Sequence, residues 1–196
     1  AEYLLAGAAR DAGARVALAG RSAERLSALR QELEAKHPLP QPVHTVVADA
    51  FDGGALDAMC ASARVVLSFA GPYDLYGHHL ARACAKAGTH LCDISGEPTY
   101  MGRLIEEVHA EAQATGACLV TACGYDSIPF DLGTMVAVEA MREKCDRPVK
   151  RVTAMWGRSK GGVSGGTIAS AINLLGTKDR GRFMAAHALE EGGEAL

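Results

Sequence analysis

Short apolar runs alternate with amphipathic stretches along most of this chain, and that alternation restricts its fold more than any other feature. The runs are Val16–Gly20 (VALAG), Val43–Ala50 (VHTVVADA), Arg64–Ala70 (RVVLSFA), Thr89–Ile94 (THLCDI) and Ala117–Ala122 (ACLVTA). Each has strand length and is bounded by turn residues. Helical patterns lie between them. One runs from Ala23 to Lys36, with Leu26, Leu29 and Leu33 on one face. Others run from Gly54 to Ala61 behind an Asp52 cap, from His78 to Ala87 before Gly88, from Met101 to Thr115 before Gly116, and from Leu132 to Lys144. Glycine just past a helix is a frequent C-terminal stop. Near-continuous apolar strands alternating with helices predict an α/β fold whose parallel sheet is covered on both faces.

The first apolar run ends in Gly20-Arg21-Ser22. Ligands of open parallel sheets bind beyond the carboxyl ends of the strands. A carboxylate at this position would suit the ribose 2′-hydroxyl of NAD, whereas an arginine suits the 2′-phosphate of NADP. Guanidinium meets phosphate through paired, charge-assisted hydrogen bonds. Ser22 is also a natural N-cap for the helix that starts at Ala23. An ordinary solvated arginine in a strand-to-helix turn is the alternative. A Gly-rich phosphate loop belongs about 20 residues before such a strand end. Counting back from Gly20 reaches Ala1, and the opening stretch AEYLLAGAARDA reads instead as a helix closed by Gly13. The expectation is a chain that begins inside the first crossover helix, without the first strand and the Gly-rich loop.

The other strand ends carry Asp49, Ala70-Gly71-Pro72-Tyr73, Asp93-Ile-Ser-Gly-Glu97 and Gly124-Tyr-Asp-Ser127. Gly71 permits close backbone approach to a cofactor and Pro72 fixes the turn. A plain tight turn is the alternative. Asp93 and Glu97 suit an acid/base pair or substrate orientation, or N-capping of the following helix by Ser95 or Glu97. Asp126 and Ser127 precede Pro129 and equally suit a site or a helix cap. His78 and His79 read as solvated residues at a helix start, and no metal site is expected. Gly161-Gly-Val-Ser-Gly-Gly166 resembles an anion-cradling turn before a helix from Thr167 to Leu175, but it lies outside the nucleotide domain, which points to substrate contact or plain turn chemistry instead.

Net charge is −3, with nothing of the basic footprint that nucleic-acid binding needs. No apolar run approaches the ~18 residues of a membrane span. The six cysteines show no C-x-x-C spacing and several lie in apolar runs, so reduced buried thiols are expected over disulfides or zinc. The stretch His37 to Pro42 cannot be helical and forms a linker. A domain boundary is expected at Cys145-Asp-Arg-Pro148, followed by a strand from Val149 to Trp156. The division is therefore residues 1–146 and 147–196, with a polar tail after Gly176.

Several blocks occur in a familiar order: AGRS-x-x-x-L from Ala19, GPY-x-x-Y-G from Gly71, CD-x-S-GE from Cys92, ACGYDSIP-x-DLG from Ala122 and GG-x-SGGT-x-AS from Gly161. Together they resemble the saccharopine dehydrogenase-like oxidoreductases, which include the trans-acting enoyl reductases. The resemblance runs from Ala1 to about Ala171. It implies an NADP-binding Rossmann-type, doubly wound sheet, here lacking its first strand and Gly-rich loop, followed by the start of a second α+β domain. The sequence reads as truncated at both ends, which puts catalytic competence in question. The resemblance further implies hydride transfer with NADPH, to or from a lipid-related enoyl or an imine-type small molecule. Gly20, Arg21, Ser22, Asp49, Ala70, Gly71 and Pro72 would bind the cofactor. Tyr73, Asp93, Asp126 and Ser127 would do acid/base or substrate-orienting work. A homodimer through the second domain, association with a lipid surface, and a cytoplasmic or lipid-droplet location are the further implications. The competing class is a non-catalytic binding or interaction module that has kept the sheet and lost the cofactor.

Overall fold

A computed structural model describes residues 2–8, 15–37, 41–145, 148–155, 157, 158, 160–176 and 181. The elements follow in strict alternation: α1 (Glu2–Ala8), β1 (Ala17–Gly20), α2 (Ala23–Lys36), β2 (His44–Val47), α3 (Gly53–Ala61), β3 (Val65–Ser68), α4 (Tyr73–Ala87), β4 (His90–Asp93), α5 (Pro98–Thr115) and β5 (Leu119–Val120). Two helices complete the described chain, α6 (Ile128–Cys145) and α7 (Gly165–Gly176). The local signals act where they stand. Ser22 accepts the Arg25 amide and Asp52 the Ala55 amide, each as an N-cap. Gly88 and Gly116 take left-handed φ values of 69° and 78° to end α4 and α5.

All strand pairing is parallel, as expected of a Rossmann-like α/β fold. Among the described residues, however, the ladders do not form one continuous sheet. β1 pairs with β2, and β4 lies between β3 and β5 in a separate sheet. Packing joins the two. Val46 and Ala48 lie against the core that Leu56, Cys60, Ala81, Cys84, Leu91, Tyr100 and Val108 build between α3, α4, α5 and β4. A second, smaller core brings Leu5 of α1 against Leu18, Leu26, Leu33 and Val43.

Among the described residues, the two faces of β3 and β4 are covered unequally. In the register of β3 and β4, Val66 and Ser68 share a face with Leu91 and Asp93, and that face carries the helices. On the other face Val65 and Leu67 remain 49% and 41% exposed among the described residues.

Three helices begin three or more residues earlier than the sequence suggests. α4 starts at Tyr73 rather than His78, α5 at Pro98 rather than Met101, and α6 at Ile128 rather than Leu132. Pro98 suits the first turn of α5, where its missing N–H is no loss. In α6 the Ser127 carbonyl accepts from Phe130 and Asp131, which extends the helix back past Pro129. Residues 149–155 form no strand, since no neighbouring strand offers them a ladder among the described residues. The Gly13 cap, parts of the 37–42 linker and of the 145–148 boundary, Trp156 and nearly all of the tail lie outside the described residues. Cys60 and Cys84 are fully buried with their sulfurs 3.5 Å apart, whereas Cys118 and Cys145 are exposed. No helix among the described residues is long and apolar enough to cross a membrane.

Candidate functional site

The carboxyl ends of β1 and β2 are tied together where the Ala48 amide donates to the Gly20 carbonyl. Beyond this junction an open cleft of about 470 Å³ is lined by Gly20, Arg21, Ser22, Arg25, Leu26 and Leu29. Arg21 is exposed, and Arg25 follows within the first turn of α2. Two guanidiniums thus stand beside the positive end of the helix dipole, a setting that favours an anion. A Cβ on Gly20 would meet Leu26 at 3.6 Å, an ordinary contact, so protein packing does not itself demand glycine there. Asp49 accepts the Phe51 amide at 2.9 Å and shapes the turn after β2. Phe51 then meets Tyr76 and His79 of α4 edge-on, at 5.6 and 5.4 Å, which brings the β2 end beside α4.

At the ends of β3 and β4 the polar groups are buried and bonded to one another. The Tyr73 hydroxyl donates to the Ser68 carbonyl at 3.0 Å. Burial pushes its phenol up to about 12, so it stays protonated at neutral pH. Asp93 is 1% exposed. It accepts from the Ser95 amide and, at 2.9 Å, from the Tyr100 hydroxyl. Burial first, and then the Asp93 carboxylate, raise the Tyr100 phenol well above its ordinary range. Glu97 does not cap the helix it precedes. Its two oxygens accept the Tyr73 amide at 2.9 Å and the Asp74 amide at 2.7 Å, which is why α4 begins at Tyr73. Pro72, the residue in the N-cap position of α4, has no side-chain acceptor to offer. The turn before it, Ala70-Gly71-Pro72, faces outward, with Ala70 exposed and Gly71 and Pro72 half-buried. The Gly71–Pro72 peptide is cis.

The end of β5 joins this edge. Ala122 takes φ 55°, a left-handed value that L residues rarely adopt. The chain thereby turns so that the Cys123 amide donates to the Asp93 carbonyl at 2.8 Å. Gly124 follows, and a Cβ there would come within 2.8 Å of Asp126 Oδ1 and 3.7 Å of Ile94. The glycine therefore allows the Asp126 carboxylate to fold back over its own turn. Asp126 is exposed and Ser127 is half-buried at the start of α6. Asp93 and the 123–127 segment thus share one edge. Arg21, Ser22 and Asp49 share another.

Several contributors were not legible as site residues. Tyr100 and Gly77 pack together beneath the edge, and Ser170 of α7 donates to Glu97 at 2.7 Å. Gly77, the last glycine of GPY-x-x-Y-G and the residue just before the predicted helix, is the available signal for the first. His78 is not a solvated residue at a helix start. It lies in the second turn of α4, ring edge-on to Tyr100 at 5.2 Å, with both nitrogens buried and unpaired among the described residues. The Gly-rich turn before α7 is built as a helix cap. Ser164 Oγ accepts the Thr167 amide at 3.2 Å and the Ser164 carbonyl accepts the Ile168 amide.

Comparison with known proteins adds to this geometry. The model of the saccharopine dehydrogenase NADP-binding domain matches residues 1–120. A Mycobacterium tuberculosis protein provisionally named a trans-acting enoyl reductase is 44% identical over 179 residues, covering 90% of this chain and 41% of that protein. A trans-acting enoyl reductase of Mycobacterium ulcerans is 48% identical over 125 residues, 64% of this chain and 29% of that protein. The chain thus spans about two fifths of the length of the first relative, 41% of it. Among solved structures, apo saccharopine dehydrogenase (L-Glu forming) from Saccharomyces cerevisiae superposes with a TM-score of 0.57 at 17% identity. That match covers 72% of this chain and 29% of the yeast enzyme, and it is a likeness of fold.

Proposed function

Because the chain belongs to the family of saccharopine dehydrogenase NADP-binding domains, we propose that it is the cofactor-holding part of an NADP-dependent oxidoreductase acting on a small molecule. The reading rests first on Arg21. It sits exposed at the carboxyl end of β1, beside a glycine that packing does not require and beside the N-terminus of α2. Arg21 and Ser22, with Arg25 one turn on, would take the 2′-phosphate. Gly20 would let the cofactor approach the backbone, and Asp49 would lie by the adenosine. The turn Ala70-Gly71-Pro72 would border the nicotinamide half.

When bound, the cofactor supplies or accepts a hydride. The protein's own contribution is position and charge. Asp126 and Ser127, on the outer side of the β5 end, are assigned to orient the substrate and to move its proton. Tyr73 and Asp93 are assigned to hold the wall behind them, since their polar atoms are already engaged inward. The names of the mycobacterial relatives, enoyl reductases, support a polarised C=C over a C=N as the group reduced, and we assign that C=C to a lipid-related substrate. Residues 1–146 form the cofactor domain in this reading, and residues 147–196 begin a second, substrate-side domain.

Titrating the intact protein with NADPH and with NADH tests the proposal. Tighter binding of NADPH is expected. Equal affinities would remove the role given to Arg21. Absence of any binding would favour a module that keeps the sheet without the cofactor.

A further inference from the structure

One buried carboxylate joins three parts of this molecule, and its arrangement goes beyond capping. Glu97 is 2% exposed. It stands in the N-cap position of α5, yet makes no cap bond to that helix. Its Oε1 accepts from the Tyr73 amide at 2.9 Å and from the Ser170 hydroxyl at 2.7 Å, and its Oε2 accepts from the Asp74 amide at 2.7 Å. A buried carboxylate is costly unless its lone pairs are satisfied. Here three donors and the positive end of α4 satisfy it.

Two consequences follow for the turn before α4. First, a protein carboxylate fills the leading amides of α4, so this helix terminus is closed to a ligand's anion. What remains outward is Ala70-Gly71-Pro72 itself. Second, the turn is held from both sides of Tyr73. The Tyr73 amide is fixed by Glu97, while its ring is fixed through the hydroxyl bond to Ser68 and lies within 3.2 Å of a Cβ built on Gly71. Moving Glu97 would therefore move the turn. Ser170 is 73 residues away in sequence and belongs to α7, beyond the β5 end. It shares the oxygen that holds the Tyr73 amide.

We propose that Glu97 is the positioning residue of the turn that receives the nicotinamide half of the cofactor, and that Ser170 ties α7 to that turn through the same carboxylate. This rests on the assignment of Ala70-Gly71-Pro72 to the cofactor. A mere helix cap would affect all ligands alike by loosening the fold. A positioning role affects only the ligand that reaches the turn.

The experiment uses the intact protein, E97Q and S170A, titrated with NADPH and with adenosine 2′,5′-bisphosphate, which has the 2′-phosphate but no nicotinamide. E97Q keeps the size of the side chain and turns one acceptor into a donor that faces a backbone N–H. It is expected to weaken NADPH about tenfold while the bisphosphate changes less than about twofold. S170A leaves both amide bonds to Glu97 in place and is expected to shift NADPH in the same direction by about threefold. Amide exchange over residues 70–76 is expected to quicken in both variants. Equal losses for the two ligands, or unchanged NADPH affinity with unchanged exchange, would overturn the proposal. If E97Q does not fold, S170A decides alone on the same two ligands. A parent protein that binds neither ligand overturns the cofactor reading, and this proposal with it. One that binds both, while E97Q and S170A match it on NADPH, overturns the positioning role only.

Discussion

Gly77 of α4 lies face to face with Tyr100 of α5, so close that a Cβ on Gly77 would stand 2.6 Å from the tyrosine Cε2. The ring is 1% exposed, and its hydroxyl is the donor to Asp93. It has no room to retreat without losing that bond. Gly77→Ala should therefore destabilise the fold by about 1–3 kcal/mol through overpacking, despite the better helix propensity of alanine. Urea denaturation of the variant beside the parent measures it. A variant as stable as the parent would mean that the two helices separate at little cost.

Cofactor choice is expected to hinge on Arg21. In the intact protein, Arg21→Glu should weaken NADPH far more than NADH, by on the order of 1.5–3 kcal/mol for a lost charge-assisted phosphate contact. Parallel calorimetric titrations read the difference. A substitution that weakens both cofactors equally would assign Arg21 to the fold and not to the phosphate.

Asp126 is an exposed carboxylate just beyond the β5 end, assigned above to the substrate. Asp126→Asn is nearly isosteric and should leave the melting temperature in place. If Asp126 moves a proton, as the proposed function requires, turnover of the intact protein should drop by ~10²-fold or more. Steady-state NADPH oxidation and a thermal melt on the same sample separate the cases. Full turnover with a lowered melting temperature would make Asp126 part of the turn only.

His78 makes stability depend on pH. Burial, followed by the Arg103 guanidinium, lowers its pKa from the usual 6.5, with Arg82 acting in the same sense and Glu107 and Asp74 opposing. Unfolded, the imidazole takes up a proton as the pH falls through 6.5. Folded, it resists until a lower pH. The unfolded state binds more protons in that window, so stability is lost as pH drops through it and is regained as pH rises. Melting temperatures recorded from about pH 7 to about pH 5 should fall less steeply in His78→Gln than in the parent. Equal slopes in the two proteins would place the acid sensitivity elsewhere.

The order of strands and helices as far as α6, the caps at Ser22 and Asp52, the glycine stops at Gly88 and Gly116, and an arginine at the first strand end are all legible in the sequence. Each depends on residues within a few positions of one another, where hydrogen-bond reach along the chain is enough. The start of α4 is not legible locally, because the acceptor for its amides stands 24 residues away on another loop. The burial of His78 is not legible either, because only the packing of α4 against α5 encloses it. Which face of β3 and β4 is covered, the division of the strands between two sheets, the pairing of Gly77 with Tyr100 and the reach of Ser170 to Glu97 were likewise decided only in three dimensions. The local elements follow from short-range hydrogen bonding and periodicity. The site follows from which distant segments meet, and a buried carboxylate finds its donors only after the helices around it have packed.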